Sequence, residues 1–266
     1  MKNILTHILI KISDRITPLN AISGYELMWV IDNEHEQLTD ENKKSLKEIF
    51  GDDILEKIFF SITGDDKVSV FSPDMHVRIN HLGEIFFCPP THKYLPDEIG
   101  KAYKRLMKLR FPEISQKIDT LVIDFMRKSE YKLTESDSTL KNVHKAYLAE
   151  NDEAKVQVHI LPSIIFVDDN LGKIREAEES NIIIVPQEQS PAPFVNFIRE
   201  YPELAEKESK ILIWVADINK KAISPFVGLP RDEAFWMNLA NPKMALQSAR
   251  KWSQGVIRSQ VLDGTI

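Results

Sequence analysis

Hydrophobic residues recur at helical spacing near the start of the chain. Apolar side chains occupy positions 4, 5, 8, 9, 12 and 16, with charged and polar side chains between them. This period predicts an amphipathic helix within residues 1–18 that packs on the body of the protein. Thr39 precedes a second helical pattern at residues 40–50 and is a typical helix-capping residue, and residues 52–60 predict a third helix. The apolar run at residues 25–32 is compatible with a helix or a buried strand.

β-forming side chains dominate the next part of the chain. They cluster or alternate at residues 67–71, 76–79 and 84–88. Residues 80–83 supply a turn between the last two runs. The pattern therefore predicts a hairpin or a small antiparallel meander.

The middle of the chain predicts further helices. Residues 96–110 have acids in the first turn and basic residues in the last, which is the order that the helix dipole favours. Residues 118–126 are an apolar run that predicts a helix or a strand. Residues 134–139 are polar throughout and predict a loop, and residues 140–149 predict a helix.

Short apolar runs alternate with helical patterns in the last part of the chain. The runs predict strands at residues 155–160, 164–167, 182–185 and 211–215. The helical patterns lie at residues 171–180, 193–207, 232–239 and 242–261. Continuous apolar strands that alternate with helices are typical of a parallel sheet covered on both faces.

These elements predict an α/β or α+β protein with two regions. Residues 1–150 form a mixed region with helices and a small antiparallel sheet. Residues 151–266 form an α/β region with a parallel, helix-covered sheet and C-terminal helices. The boundary between the regions is soft, and a single domain is the alternative.

Composition narrows the class of protein. The 266 residues include 34 Lys and Arg against 40 Asp and Glu, a net charge of −6, so no global charge attracts nucleic acid or an anionic membrane. No apolar run reaches the roughly 18 residues that a membrane-spanning helix needs. The single cysteine, Cys88, has no partner for an internal disulfide, which favours a reducing compartment. We therefore expect a cytoplasmic protein.

Chemistry is concentrated in one segment, where the predicted strand at residues 164–167 runs into Asp168, Asp169 and Asn170. The carboxyl ends of parallel strands face the ligand crevice of a sheet. Two adjacent carboxylates at such a place can hold Mg²⁺ together with a substrate phosphate. The alternative is structural, because Asp168 or Asn170 would also cap the helix that follows.

The phrase FVDDN, followed by a helix and the strand IIIVP, resembles the last motif of the haloacid-dehalogenase-like phosphatase superfamily. The resemblance lies within residues 163–186. It implies a Mg²⁺-dependent hydrolase that acts on a phosphorylated substrate through an aspartate nucleophile. In that case Asp168 and Asp169 bind the metal ion and Asn170 contacts the substrate.

The family also requires a nucleophilic aspartate after an earlier strand. Asp32 in MWVIDNEHEQLT is the best candidate and would also bind Mg²⁺, and Glu34 stands where the family has its acid/base aspartate. Asp124 in LVIDFMRKS is the second candidate for the nucleophile, although it stands closer to the acid pair along the chain.

Two further roles of the family have more than one candidate. The hydroxyl that binds the phosphoryl group would come from Ser61 or Thr63, and the lysine that neutralises it from Lys141 or Lys145. The expected partner is a small phosphorylated molecule or a protein. The alternative function is a non-catalytic α/β interaction or binding protein with a degenerate active site.

Overall fold

The computed structural model describes residues 2–64, 75–90, 96–152, 155–177, 180–188, 190, 192–201, 204 and 211–227. The chain divides into two compact units, residues 1–109 (unit 1) and 110–266 (unit 2). The mixed α/β class predicted from the sequence is confirmed, with a small antiparallel sheet in unit 1 and a larger sheet with helices in unit 2. None of the helices in the described part of the chain is long and apolar enough to cross a membrane.

The described part of unit 1 begins with four helices. They are α1 (Lys2–Ile16), α2 (Gly24–Glu36), α3 (Asp40–Phe50) and α4 (Ile54–Thr63). The predicted helix at residues 40–50 is confirmed, and the Thr39 side chain caps it by accepting a hydrogen bond from the Asn42 amide. The apolar run at residues 25–32, which was compatible with a helix or a strand, is part of α2.

A three-stranded antiparallel sheet completes unit 1. Its strands are β1 (Ile22–Ser23), β2 (Val77–His81) and β3 (Glu84–Cys88), in the spatial order β1-β3-β2. The predicted hairpin is confirmed, and its turn places Leu82 and Gly83 at φ values of 54° and 84°. Residues 67–71, which predict a further strand, lie outside the described residues.

The predicted helix at residues 96–110 and the apolar run at residues 118–126 belong to one helix of 33 residues, α5 (Pro96–Lys128). It begins in unit 1 and ends in unit 2. Its C-terminal part supplies Ile118, Val122 and Met126, which are fully buried, to the core of unit 2. The run at residues 118–126, left open between helix and strand, is therefore helical.

Unit 2 is built around a six-stranded sheet with the spatial order β4-β5-β6-β7-β8-β9. The strands are β4 (Lys132–Glu135), β5 (Lys145–Glu150), β6 (Lys155–Ile160), β7 (Ser180–Pro186), β8 (Ile211–Asp217) and β9 (Ala222–Val227). The three central strands β6, β7 and β8 are parallel. The flanking strands pair antiparallel, so the predicted parallel sheet is the centre of a mixed one.

Helices connect the parallel strands. They are α6 (Ile165–Asp168), α7 (Leu171–Glu176) and α8 (Ala192–Glu200). The first two lie between β6 and β7, and α8 lies between β7 and β8. One face of the sheet packs Val158, Ile160 and Ile184 against α5.

Several predictions of secondary structure differ from the structure. The predicted loop at residues 134–139 begins inside β4, and the predicted helix at residues 171–180 ends at Glu176. Residues 164–167, predicted as a strand, lie in and next to α6, where Phe166 and Val167 are buried. Residues 140–149, predicted as a helix, form the end of a loop and most of β5, because residues 145–150 pair with β6 along their whole length.

The expected division near residue 150 falls at the end of β5, whereas the compact units divide after Leu109. The predicted C-terminal helices lie outside the described residues.

Candidate functional site

Asp32 and Glu34, the predicted nucleophile and acid/base residue, lie on α2 in unit 1. The apolar residues before Asp32 are helical, whereas the resemblance to the phosphatase superfamily requires a strand there, and the Asp32 side chain is exposed. Glu34 is 2% exposed, and its Oε1 lies 2.7 Å from Nε of Arg15 on α1. Lys11 lies 3.9 Å from the other carboxylate oxygen. These contacts give Glu34 a structural role between α1 and α2.

The two candidate hydroxyls also lie in unit 1. Ser61 donates a hydrogen bond to the Ile58 carbonyl at 2.7 Å, and Thr63 donates one to the Phe59 carbonyl at 2.9 Å. Both bonds stay within α4, which is a common arrangement for hydroxyl side chains in helices.

The acid pair lies in unit 2, at the end of α6. Asp168 and Asp169 are both exposed. The Tyr201 hydroxyl donates a short hydrogen bond to Asp168 Oδ1, and this bond, together with burial of the hydroxyl, raises the pKa of Tyr201. Within the described part of the chain, no three His, Cys, Asp or Glu side chains are grouped as they would be around a metal ion.

Asn170, the predicted substrate-binding residue, is only 1% exposed. Although it occupies the position before α7, its side chain makes no capping bond there. Its Oδ1 instead accepts from the Lys141 amide at 2.7 Å, and its Nδ2 donates to the carbonyls of Lys141 and Phe166. Asn170 therefore fixes the loop at residues 136–144 (the 136–144 loop) to the turn between α6 and α7.

Lys145 is the predicted residue around which titratable side chains gather. The Lys145 cluster consists of Asp119, Glu135, His144, Lys145 and Tyr147. Asp119 Oδ2 lies 3.2 Å from His144 Nε2 and 3.7 Å from Lys145 Nζ. Glu135 lies 3.9 Å from Lys145 Nζ. The cluster joins three elements, because Asp119 is on α5, Glu135 on β4 and Lys145 on β5.

The backbone positions these side chains. The His144 amide donates to the Ile160 carbonyl at 2.8 Å, so β5 begins in register with β6. The His144 ring packs edge-on against Phe111, with the ring centroids 4.9 Å apart. The Lys145 ammonium lies 5.9 Å from the centroid of the Tyr147 ring.

Burial and charge set the ionisation of the cluster. Burial of the hydroxyl, and then the Asp119 carboxylate, raises the pKa of Tyr147. Tyr147, followed by the Asp119 and Glu135 carboxylates, raises the pKa of Lys145. At neutral pH the cluster therefore holds a cationic lysine and a protonated phenol.

Two polar atoms of the cluster are buried without a well-formed hydrogen bond to any described residue. They are Asp119 Oδ1 and the Tyr147 hydroxyl. An unpaired buried polar atom costs about 1–3 kcal/mol, so such an atom calls for an explanation such as a ligand or a water molecule. The cluster offers both an acceptor and a donor to a bound molecule.

Lys145 is predicted from the sequence, whereas Asp119, Glu135, His144 and Tyr147 are not. Asp119 stands in an apolar run and 25 positions before His144, with no motif to connect the two. The helix predicted at residues 140–149 hides the alternation that places Lys145 and Tyr147 on one face of β5. That alternation was the available signal.

Part of the chain is similar to a family of domains of unknown function. Residues 114–241 match a family model described as "Domain of unknown function (DUF6834), C-terminal domain". The matched segment begins within α5 and includes the whole six-stranded sheet. No curated protein matches the chain.

Proposed function

We propose that unit 2 is a hydrolase that acts on a small phosphorylated molecule at the Lys145 cluster. The observation that supports this proposal is the position of the Asp119 carboxylate. Its Oδ2 lies within reach of both the His144 imidazole and the Lys145 ammonium. An imidazole held by a carboxylate can transfer protons in general acid–base catalysis. A fixed cation beside it can stabilise the charge of an anionic substrate.

His144 is the acid/base residue of this proposal. When Nε2–H donates to Asp119, the lone pair of Nδ1 is left to accept a proton from an attacking water molecule. Asp119 is a positioning residue, because it selects this tautomer and holds the ring. The edge-on contact with Phe111 further limits rotation of the His144 ring.

Lys145 and Tyr147 serve the substrate. The ammonium would offset the charge of the phosphoryl oxygens, which is the role that the sequence resemblance implies for Lys145. The buried Tyr147 hydroxyl, whose proton is retained at neutral pH, would donate to an oxygen of the same group. Donors that are already oriented in a buried site stabilise developing charge better than water does.

Hydrolysis of p-nitrophenyl phosphate tests the proposal. We expect the wild type to release p-nitrophenol, and we expect His144→Gln to lower kcat/KM by about 10²–10⁴-fold. Lys145→Gln should raise KM. Lys155→Gln is the matched control, because this exposed lysine lies on β6 outside the cluster. Equal rates for the wild type and His144→Gln would refute the assignment.

A binding protein without catalysis is the second candidate. The observation that favours it is that Asp168 and Asn170, two of the predicted site residues, already bind internal partners. Calorimetry with inorganic phosphate separates the two functions. Phosphate binding that requires Lys145, in a protein that does not hydrolyse p-nitrophenyl phosphate, would support the binding protein and contradict the hydrolase.

A further inference from the structure

A serine, a histidine and an asparagine form a continuous hydrogen-bonded chain in unit 2, away from the Lys145 cluster. Ser138 Oγ lies 2.9 Å from His159 Nδ1. His159 Nε2 in turn lies 3.0 Å from Asn181 Oδ1. His159 is on β6 and Asn181 is on the parallel neighbour β7, so the sheet itself fixes their spacing.

The hydrogen-bonded series Ser138–His159–Asn181 lies on the opposite face of the sheet from α5. Val158 and Ile160 belong to the core that packs on α5. Because successive side chains of a strand point to opposite faces, His159 between them points to the other face. These three side chains are therefore on the other face of the sheet from Tyr147, which belongs to the core that packs on α5.

The partners leave one arrangement of protons. Asn181 Oδ1 can only accept, so His159 Nε2 carries the hydrogen. Nδ1 then carries the lone pair and accepts the proton of the Ser138 hydroxyl. Burial lowers the pKa of His159, although its bond to Asn181 acts in the opposite direction, so the ring is neutral at pH 7.

The 136–144 loop holds the Ser138 hydroxyl in place. The Leu140 amide donates to Ser138 Oγ at 3.1 Å. The next residues are tied to the body of unit 2, because Lys173 Nζ donates to the Thr139 carbonyl at 2.6 Å and Asn170 binds both backbone groups of Lys141. Ser138 thus has little freedom to leave His159.

The exposure of the three side chains also suits a nucleophile with a buried base. Ser138 is partly exposed, whereas His159 and Asn181 are 4% and 7% exposed. A substrate or a water molecule can therefore approach from the side of the hydroxyl, while the rest of the imidazole and the residue that orients it are buried. A nucleophile within about 2.6–3.2 Å of a base that a third group orients is the general pattern of covalent catalysis.

We propose that Ser138 is a catalytic nucleophile, with His159 as its general base and Asn181 as the positioning residue, in a second activity that transfers an acyl group from an ester. Ser138 Oγ forms a bond to the carbonyl carbon and its proton moves to His159 Nδ1. The ester C–O bond breaks, and His159 returns that proton to the departing alcohol. Water then hydrolyses the acyl-serine by the reverse proton path, which releases the acid and restores the hydroxyl.

Diisopropyl fluorophosphate provides a direct test, because it needs only the first step. Ser138 Oγ forms a bond to phosphorus, fluoride leaves and the proton moves to His159. We expect intact-mass spectrometry to show one diisopropylphosphoryl adduct on the wild type and peptide mapping to place it on Ser138. Ser138→Ala should lack the adduct, and Ser115→Ala should keep it, since that serine is on α5 and bonds to the Pro112 carbonyl.

Two further variants separate catalysis from simple structural bonding. His159→Gln should slow labelling by about 10²-fold or more, since the base is lost. Asn181→Asp should speed labelling, because a carboxylate stabilises the imidazolium that forms, and this variant keeps the proposal testable if His159→Gln fails to fold. An unlabelled wild type, or an adduct that persists in Ser138→Ala, would overturn the proposal.

Discussion

Asn170 binds both backbone groups of Lys141, a residue 29 positions earlier in the chain. Its amide oxygen accepts from the Lys141 N–H at 2.7 Å and its amide nitrogen donates to the Lys141 carbonyl at 3.0 Å. One buried side chain thereby fixes the middle of the 136–144 loop, while backbone bonds from Ser136 to Ala146 and from His144 to Ile160 hold its two ends. The residue that the sequence resemblance assigns to substrate binding instead holds the loop that carries Ser138.

Replacement of Asn170 should therefore reduce stability. Asn170→Ala leaves the backbone N–H and C=O of Lys141 without their partner, and we expect the free energy of unfolding to fall by about 2–4 kcal/mol. Urea denaturation followed by circular dichroism measures this loss. Asp137→Asn, at an exposed position on the same loop, is the control and should change stability by less than about 0.5 kcal/mol. A neutral Asn170→Ala would contradict the structural role.

The ion pair between Glu34 and Arg15 should contribute to the stability of unit 1 rather than to catalysis. Glu34 is buried and Arg15 is 41% exposed. We expect a coupling free energy of about 1–2 kcal/mol, between the values for exposed and buried charged pairs. A double-mutant cycle with Glu34→Ala and Arg15→Ala measures it. A Glu34→Gln protein that is fully stable but inactive would support the acid/base role instead.

Acid should weaken the fold through His159. The unfolded chain binds a proton on this residue near the ordinary pKa of 6.5, whereas burial lowers the pKa in the folded state. The contribution of neutral His159 is complete above that ordinary value and is lost as the pH falls through the lowered pKa, with a slope of up to about 1.4 kcal/mol per pH unit.

Urea denaturation between pH 5 and 7.5 measures that slope. His159→Gln should make it shallower, and His7→Gln, at an exposed position on α1, should keep the slope of the wild type. An NMR titration of the wild type reports the His159 pKa itself. A pKa at or above 6.5 would exclude His159 as the cause of the acid destabilisation.

Mg²⁺ tests the role that the phosphatase resemblance assigns to the acid pair. A cation that binds only the folded protein raises Tm, because it stabilises that state by RT ln(1 + [L]/Kd). The resemblance predicts such a rise in the wild type and its loss when Asp168→Asn and Asp169→Asn are combined. Tyr201→Phe is the matched control, since it removes the hydroxyl bound to Asp168 and leaves both carboxylates. The same response in the wild type and the double variant would exclude the acid pair as the ligand.

Local patterns predicted several elements of the fold with their bounds. The helix at residues 40–50 follows from its apolar period and from the Thr39 cap, whose bond reaches only three residues along the chain. The strand at residues 155–160 agrees residue for residue with β6. Such elements depend on neighbours within a few positions, which the sequence displays directly.

Tertiary packing decided the elements whose local pattern is ambiguous. Residues 164–167 are four apolar residues, and so short a run satisfies a helix and a strand equally well. Residues 145–150 have a helix-compatible composition, but the ladder with β6 satisfies their backbone groups and makes them a strand.

The candidate site divides in the same way. From the sequence, the resemblance to the phosphatase superfamily implies Lys141 or Lys145 as the lysine that neutralises the phosphoryl group. Only the packing of α5 on β5 brought Asp119 to His144 and Lys145. Only the parallel pairing of β6 with β7 placed Asn181 beside His159, and the 136–144 loop brought Ser138 to the same ring. Side chains that are 21 to 26 positions apart meet through the burial of other residues, and no motif records that.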